Sequence, residues 1–504
     1  MTSYGLSGLW NLLRRATYYI FAIRSDEIKK FLSLSLMQFC VLFNYTLLRT
    51  LKDTLVIGDP RGAAEVVHFI KPLVVFPSAI LFVSVYNRMR ARIENKENMF
   101  YYSLAPFIIF FSLFAYVIFP ARDYLHPSEE TIQSLTARFP AISWIFPLYS
   151  LWSFAIFYGM AETWGAFCIS FLFWQFANQI TQTEQAKRFY PMFGVIGQLG
   201  LIAAGSLIQV LFINESRIER NVIIALSLVV ICAVLMGVLH YYISNDKDVK
   251  AQELAKPKKK EKVNFWDGVY EIINSRYLLF IVLLVVSYNV SINLVEITWK
   301  GQMKALASSQ NEYAAWTASL FIWTGIMTLI GAFASRYILQ NYSWYACAIL
   351  TPLMLGVTSI LFYMSILLPN LFQMIGKFSG LSFDVLKFSV VIGFIQNVAS
   401  KATKYVLFDP TKEMAYIPLD DNLKVKGKSA IDVVGNRLSK ASGSYIQAGL
   451  LFLASLIGIP QTQRAIAPVL CILVLFLIFI WLYAVNNLSQ MYQEEIQKKS
   501  KETV

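Results

Sequence analysis

The chain has 504 residues, is 57% hydrophobic and 15% charged, and carries a formal net charge of +13. That excess of apolar residues points away from a soluble protein and towards the membrane. The positive charge gathers in particular loops, which suits an orientation signal better than a nucleic-acid groove.

In chain order, the first 30 residues place Arg14 and Arg15 between leucine and aromatic clusters and show no cleavage-site pattern. They read as an amphipathic helix lying on the membrane face. Apolar runs follow, each near the length of about 20 residues that a helix needs to cross a bilayer. They are too continuous for the alternating pattern of an outer-membrane barrel, and in lipid only a helix satisfies its own backbone without closing a sheet. The expected fold class is therefore an all-α polytopic membrane protein with twelve transmembrane helices. Spans one to six cover 31–57, 66–87, 99–119, 145–179, 188–213 and 221–243, an N-terminal six-helix bundle over 31–243. A charged linker, 244–276, contains the run Lys256 to Lys262. Spans seven to twelve cover 277–301, 313–336, 345–367, 384–408, 427–457 and 465–486, a second bundle over 277–486. A polar, mobile tail, 487–504, closes the chain.

Loop charges orient the bundle. Arg88, Arg90, Arg92 and Lys96 follow span two, and Lys187 and Arg188 follow span four. The lysine-rich linker, Lys401 and Lys404, and the tail lysines follow spans six, ten and twelve. All fall on one side, so the positive-inside rule puts both termini in the cytoplasm.

Span five holds GVIGQLGLIAAGSLIQ (194–209) and span eleven holds DVVGNRLSKASGSYIQ (432–447). Without a gap they share Val, Gly, Ala, Gly, Ser, Ile and Gln at matching positions. Matching spans six apart suggest two parallel six-helix halves, the major-facilitator arrangement, in which two halves rock about a central site.

The informative residues are charges inside spans, because each costs roughly 2.5–3.5 kcal/mol on insertion scales near the bilayer centre. Span one carries Arg49, Lys52 and Asp53, and span four carries Glu162 with apolar residues on both sides. Span seven carries Glu296 and Lys300, an i, i+4 pair able to bond locally. Span eleven carries Asn436, Arg437 and Lys440 where its first-half copy has Leu199 and Ile202 opposite the two cations. Cations from spans one and eleven and acids from spans four and seven can line one cavity. A cavity with several cations suits an anionic substrate, and lysine ammonium groups are good point-charge partners for phosphate.

Cys40, Cys168, Cys232, Cys347 and Cys471 each fall in an apolar run with no C-x-x-C partner, so disulfides and zinc are not expected. The histidines His68, His126 and His240 are scattered. Val425-Lys426-Gly427-Lys428-Ser429 ends like a phosphate-binding loop, but Asn422 stands where that loop needs glycine, and no strand precedes it.

Asn44-Tyr45-Thr46-Leu47-Leu48-Arg49 leading to Lys52-Asp53 resembles the first span of the ATP/ADP translocases, the nucleotide antiporters of intracellular bacteria and plastids. So do Ala161-Glu162-Thr163-Trp164-Gly165, the stretch Phe173 to Thr181, Ala186 to Tyr190, Asn293-Leu294-Val295-Glu296, and Lys412 to Asp420 continuing to Lys428. The resemblance implies exchange of ADP plus phosphate for ATP across a bacterial inner membrane, without hydrolysis and without a cofactor. Its four charged positions map onto Lys52, Glu162, Glu296 and Lys440, already singled out above. Lys52 and Lys440 would neutralise phosphates, and Glu162 and Glu296 would balance the empty site's charge. Arg49, Asn178 and Arg437 stand behind them. The expected partners are nucleotides, phosphate and lipid, with no nucleic acid and no metal, for a monomer. Two departures, Ser439-Lys440-Ala441-Ser442-Gly443 and Thr163 after Glu162, bear on base preference, so guanine or pyrimidine nucleotides stay open. A proton-coupled organic-anion symporter with Glu162 as proton carrier is the other transport reading. A membrane-embedded transferase would need a polar catalytic loop that the sequence does not show.

Overall fold

The structure, a computed structural model, describes residues 23–24, 26–61, 64, 66–93, 98–139, 145–212, 218–246, 270, 272–378, 384–420, 431, 439–458 and 462–502. The amphipathic segment up to residue 22, linker residues 247–269, the Lys426–Ser429 loop and Arg437 lie outside the described residues.

Among the described residues the regular structure is helical, and eleven helices are long and apolar enough to cross a bilayer. In chain order α1 is Ile28–Val56, α2 Val66–Tyr86, α3 Asn98–Ile118, α4 Trp152–Ile180, α5 Arg188–Phe212 and α6 Ile218–Ser244. Then come α7 Arg276–Leu306, α8 Gln310–Asn341, α9 Trp344–Leu367 and α10 Val385–Ala415. The expected span eleven appears as α11, Ser439–Leu456, the preceding stretch 432–438 lying outside the described residues. The last helix, α12, is Gln463–Glu502: the expected polar tail continues the helix for further turns, in keeping with its run of Gln, Glu and Lys, all good helix formers.

Local chemistry sets the ends. Gly58-Asp59-Pro60 stops α1, since proline cannot continue the ladder. Ser275, Ser309 and Ser343 cap α7, α8 and α9 by accepting a backbone N–H three residues on. The fourth span starts later than expected because Leu151 leaves helical backbone and separates a short turn, Phe146–Ser150, from α4.

Four spans contain a widened turn among the described residues: one is Cys168–Trp174 in α4, and the other three share a pattern. Phe76 N–H bonds Lys71 O, Phe119 N–H bonds Phe114 O, and Asp409 N–H bonds Lys404 O, each five residues back. The closing residue stands in every case just before a proline: Pro77, Pro120 and Pro410. A proline has no N–H and its ring crowds the carbonyl four residues back, so the preceding turn opens instead of breaking. In α10 the helix continues past that turn to Ala415, well beyond the expected end at 408.

The two halves meet at α5 against α8. A Cβ added at Gly205 would lie 2.9 Å from the Ala318 carbonyl oxygen, and one at Gly325 would lie 2.7 Å from Ile202. Gln209 donates to Ser319 at 2.7 Å along the same seam. Small residues let two backbones approach this closely in lipid, where packing drives helix association in place of the hydrophobic effect. At the end where α1 finishes, Lys304 of α7 donates to the carbonyls of Gly58 and Asp59 at 2.9 and 2.7 Å. Gln310 reaches Asp59 at 3.3 Å, and Gln463 meets His68 at 2.7 Å. These contacts close the Asp59 end of the seam between the halves. At the other end, Arg188 and Gln185 bind Glu27 within the first half.

Candidate functional site

The charges of α1 fall on one helical face because residues three and four apart stack along a helix. Arg49, Lys52 and Asp53 therefore point together into the bundle, with Tyr45 one turn earlier accepting from Arg49 at 3.0 Å. The same rule brings Glu296 and Lys300 together on α7, 3.0 Å apart.

Lys52 lies 3.0 Å from Asp53 and 3.0 Å from Glu162 of α4. The ring of Tyr158, one turn before Glu162, lies under its ammonium at 3.7 Å, a cation–π contact. Asp53 also meets Lys300 at 2.8 Å, so one carboxylate holds two lysines, one from each half. Glu296 is shared more widely, by Arg49 at 2.9 Å, Lys300 at 3.0 Å and Lys401 of α10 at 3.1 Å. Lys71 of α2 reaches across to Ser444 of α11 at 2.9 Å.

Burial divides the cluster. The side chains of Lys52 and Asp53 are 3% and 1% exposed, whereas Glu162 is 36% and Arg49 24% exposed. One side of the network is closed in protein and the other opens to a space that water or a ligand can reach. A buried charge without a partner costs several kcal/mol, which is why the closed side is fully paired. Counting described side chains, Arg49, Lys52, Lys71, Lys300 and Lys401 face Asp53, Glu162 and Glu296, an excess of two positive charges.

Of the residues expected from sequence, Lys52, Glu162, Glu296 and Arg49 come together here. Lys440 lies in the first turn of α11, with its side chain outside the described residues, as is all of Arg437. Asn178 is elsewhere: it sits near the far end of α4 and accepts from the Tyr190 hydroxyl at 2.5 Å. Lys401 calls for a correction. Its position near the expected end of span ten placed it among the orienting loop cations, but its amino group is inside the bundle on Glu296. The widened turn at Lys404–Phe408 carries α10 onward and leaves Lys401 within the span. Asp53, Lys71, Lys300 and Lys401 are the members that sequence reasoning did not assign to the site, although Lys300 was noted as a local partner of Glu296. The signal was available for Lys71, a lone lysine five residues into an apolar run, the same pattern that singled out Glu162.

The five cysteines are free thiols, three of them buried. Two imidazoles serve the Asp59 end. His126 hydrogen-bonds Ser153 at 2.7 Å and Arg61 at 3.4 Å, and burial, with help from the Arg61 guanidinium, holds its pKa below the usual range. His68, buried, meets Gln463.

Comparisons with known proteins place this geometry. The family model described as TLC ATP/ADP transporter matches residues 11–492. The ADP,ATP carrier protein 1 of Chlamydia pneumoniae is 38% identical over 499 residues, covering 96% of this chain and 95% of that protein. The ADP,ATP carrier protein 1 of Rickettsia prowazekii is 36% identical over 500 residues, covering 97% and 99%. Among solved structures, a bacterial homologue of the iron transporter ferroportin in an inward-facing state aligns with TM-score 0.53 and 13% identity over 94% of this chain and 99% of that one. A D-xylose–proton symporter aligns with TM-score 0.50 and 11% identity over 89% and 96%. At such identities the structural likeness concerns the fold alone, which is that of major-facilitator-like transporters.

Proposed function

Because the chain belongs to the TLC ATP/ADP transporter family, we propose that it exchanges ATP for ADP across the membrane, with phosphate accompanying the diphosphate. The chain is a multi-pass membrane transporter and not a hydrolase. The observation that carries the reading is the network inside the bundle in which cations from both halves are held by three carboxylates, two of them shared.

Arg49–Glu296 and Lys300–Asp53 tie the first half to the second. These pairs resist separation, because parting the halves would strand charges in a low-dielectric interior. An incoming polyphosphate offers the cations another partner. Its oxygens compete with Glu162, Glu296 and Asp53, the excess positive charge attracts it, and the halves become free to rock. An empty carrier would therefore reorient poorly, which makes exchange the favoured mode. ATP carries more negative charge than ADP, and accompanying phosphate evens the charge moved in each direction.

The functional roles assigned are phosphate binding for Lys52, Lys440 and Arg49, and charge balance for Glu162 and Glu296. Arg437, two residues before α11 in the sequence, is held as a further cation. Asn178 is demoted by its distance from the network. The lysine-rich loops favour cytoplasmic termini, and the bacterial origin of the relatives favours a bacterial inner membrane. On that orientation the Asp59 end is the outer gate, closed in this conformation.

The experiment is counter-exchange in liposomes holding the purified chain, with labelled ATP outside and a panel of nucleotides inside. The reading predicts uptake that requires internal ADP or ATP, and loss of uptake in Lys52→Ala and Lys440→Ala at normal expression. Uptake that follows a pH gradient and ignores internal nucleotide would replace this reading with a proton-coupled symporter. Preference across the nucleotide panel settles the base.

A further inference from the structure

The five described cations of the network are not equally committed. Arg49, Lys52, Lys300 and Lys401 each touch at least one carboxylate. Among the described residues Lys71 touches none: its amino group donates only to the Ser444 hydroxyl. That hydroxyl lies 3.4 Å from the side-chain oxygen of Asn293, on α7. Three polar groups from α2, α7 and α11 thus converge at one point between the halves. Asn293 is held from behind, since a Cβ at Gly443 would come within 3.0 Å of it.

We infer that Lys71, Ser444 and Asn293 form a seat for a phosphate group, either the terminal phosphate of a nucleotide or free inorganic phosphate, bound between the two halves. This rests on the nucleotide reading above and names a binding site within it. An anion recruiting Arg49 or Lys52 must displace a carboxylate, whereas one recruiting Lys71 displaces only a neutral hydroxyl. Among the described cations of the network, Lys71 is therefore the first available to an arriving phosphate. The seat is chemically suited: an ammonium, a hydroxyl and, by rotation of the side-chain amide, an N–H donor can each meet a different oxygen of a tetrahedral anion. A phosphate inserted there would also replace the direct Lys71–Ser444 link and so join α2 to α11 through the ligand.

The test uses the full chain in liposomes loaded with ADP, with labelled ATP, ADP or inorganic phosphate outside, and the variants Lys71→Gln, Lys71→Arg and Ser444→Ala. Loss of one charge-assisted phosphate contact is expected to raise KM about 10-fold or more in Lys71→Gln, with Lys71→Arg recovering most of it. If the seat takes the nucleotide's terminal phosphate, the KM rise appears without added phosphate. If it takes free phosphate, KM for nucleotide holds and the dependence on added phosphate disappears; either result supports the seat. A Lys71→Gln protein with wild-type KM and wild-type phosphate dependence, altered only in kcat, overturns it and leaves a mechanical link. Should Lys71→Gln fail to reach the membrane, Ser444→Ala decides: a KM raised about 3-fold or more supports the seat, and an unchanged KM defeats it. Wild-type protein that exchanges no nucleotide defeats the parent reading instead, and is recognised because every arm is silent.

Discussion

The two seams that join the halves, α5 with α8 and α2 with α11, are counterparts under the repeat, because α8 stands six helices after α2 and α11 six after α5, yet they are built differently. In the first, Gly205 and Gly325 let backbones and isoleucines interlock, and one neutral hydrogen bond, Gln209 to Ser319, accompanies them. In the second, the described residues meet through Lys71 and Ser444. The glycine that matches Gly205 in the repeat, Gly443, packs not across the seam but against Asn293 of its own half. One seam therefore gains from shape and the other from polar groups that a ligand can take over. A transporter with a repeated fold needs that inequality: a packed seam guides the motion, and a polar one responds to what is bound.

The comparison can be broken most forcefully at the network beside both seams. Glu296→Gln would leave Arg49, Lys300 and Lys401 facing one another without their shared carboxylate. Exchange should be lost, and thermal unfolding in detergent should show about 3–5 kcal/mol of lost stability, the cost typical of breaking a buried ion network on one side. Retained transport would mean the carboxylate is not the common partner. Next is Gly205→Val. Its Cβ cannot be relieved by rotating a flexible side chain, because the nearest polar obstacle is the Ala318 backbone carbonyl. A loss of about 1–3 kcal/mol is expected from overpacking, with transport slowed. Gly443→Ala presses on a side chain that can shift, and should cost less in the same melt; equal losses would remove the distinction between the seams.

At the Asp59 end, Asp59→Ala removes the acceptor for Gln310 and for Arg61, while Lys304 keeps its backbone carbonyls. A modest loss of about 1 kcal/mol is expected, read as a raised rate of labelling at a cysteine introduced near residue 310. The smallest effect belongs to His126. Its pKa lies below the usual histidine value in the folded chain, from burial first and Arg61 second. The folded state thus binds its proton less readily than the unfolded state, so stability is full above the ordinary histidine range and declines as pH falls below it. The melting temperature should drop slightly on acidification from pH 8 towards 5, and less so in His126→Gln.

Much of this was legible because lipid makes charge conspicuous. Lys52, Glu162 and Glu296 stood out as ionisable groups in runs long enough to cross a bilayer, and they meet in space. Partner choice was not legible, since it depends on which helices face one another: Asp53 bridging Lys52 to Lys300 joins residues hundreds apart. Helix ends were the other gap. Lys401 was read as a loop cation because span ten was expected to end at 408, whereas the chain widens one turn before Pro410 and carries on. The same Phe-Pro and Asp-Pro steps could have announced that turn. Asn178 belonged to a motif, and a motif does not say which way its side chain faces.

The central claim is that cations paired with carboxylates inside the helix bundle pass to phosphates when substrate arrives. Equilibrium binding of labelled ATP to the purified protein in detergent, wild type against Lys52→Gln, tests it without depending on transport. The account predicts an affinity lower by about 10- to 100-fold in the variant, as expected for a charge-assisted contact worth about 1.5–3 kcal/mol. Equal affinity in two equally folded proteins would contradict it.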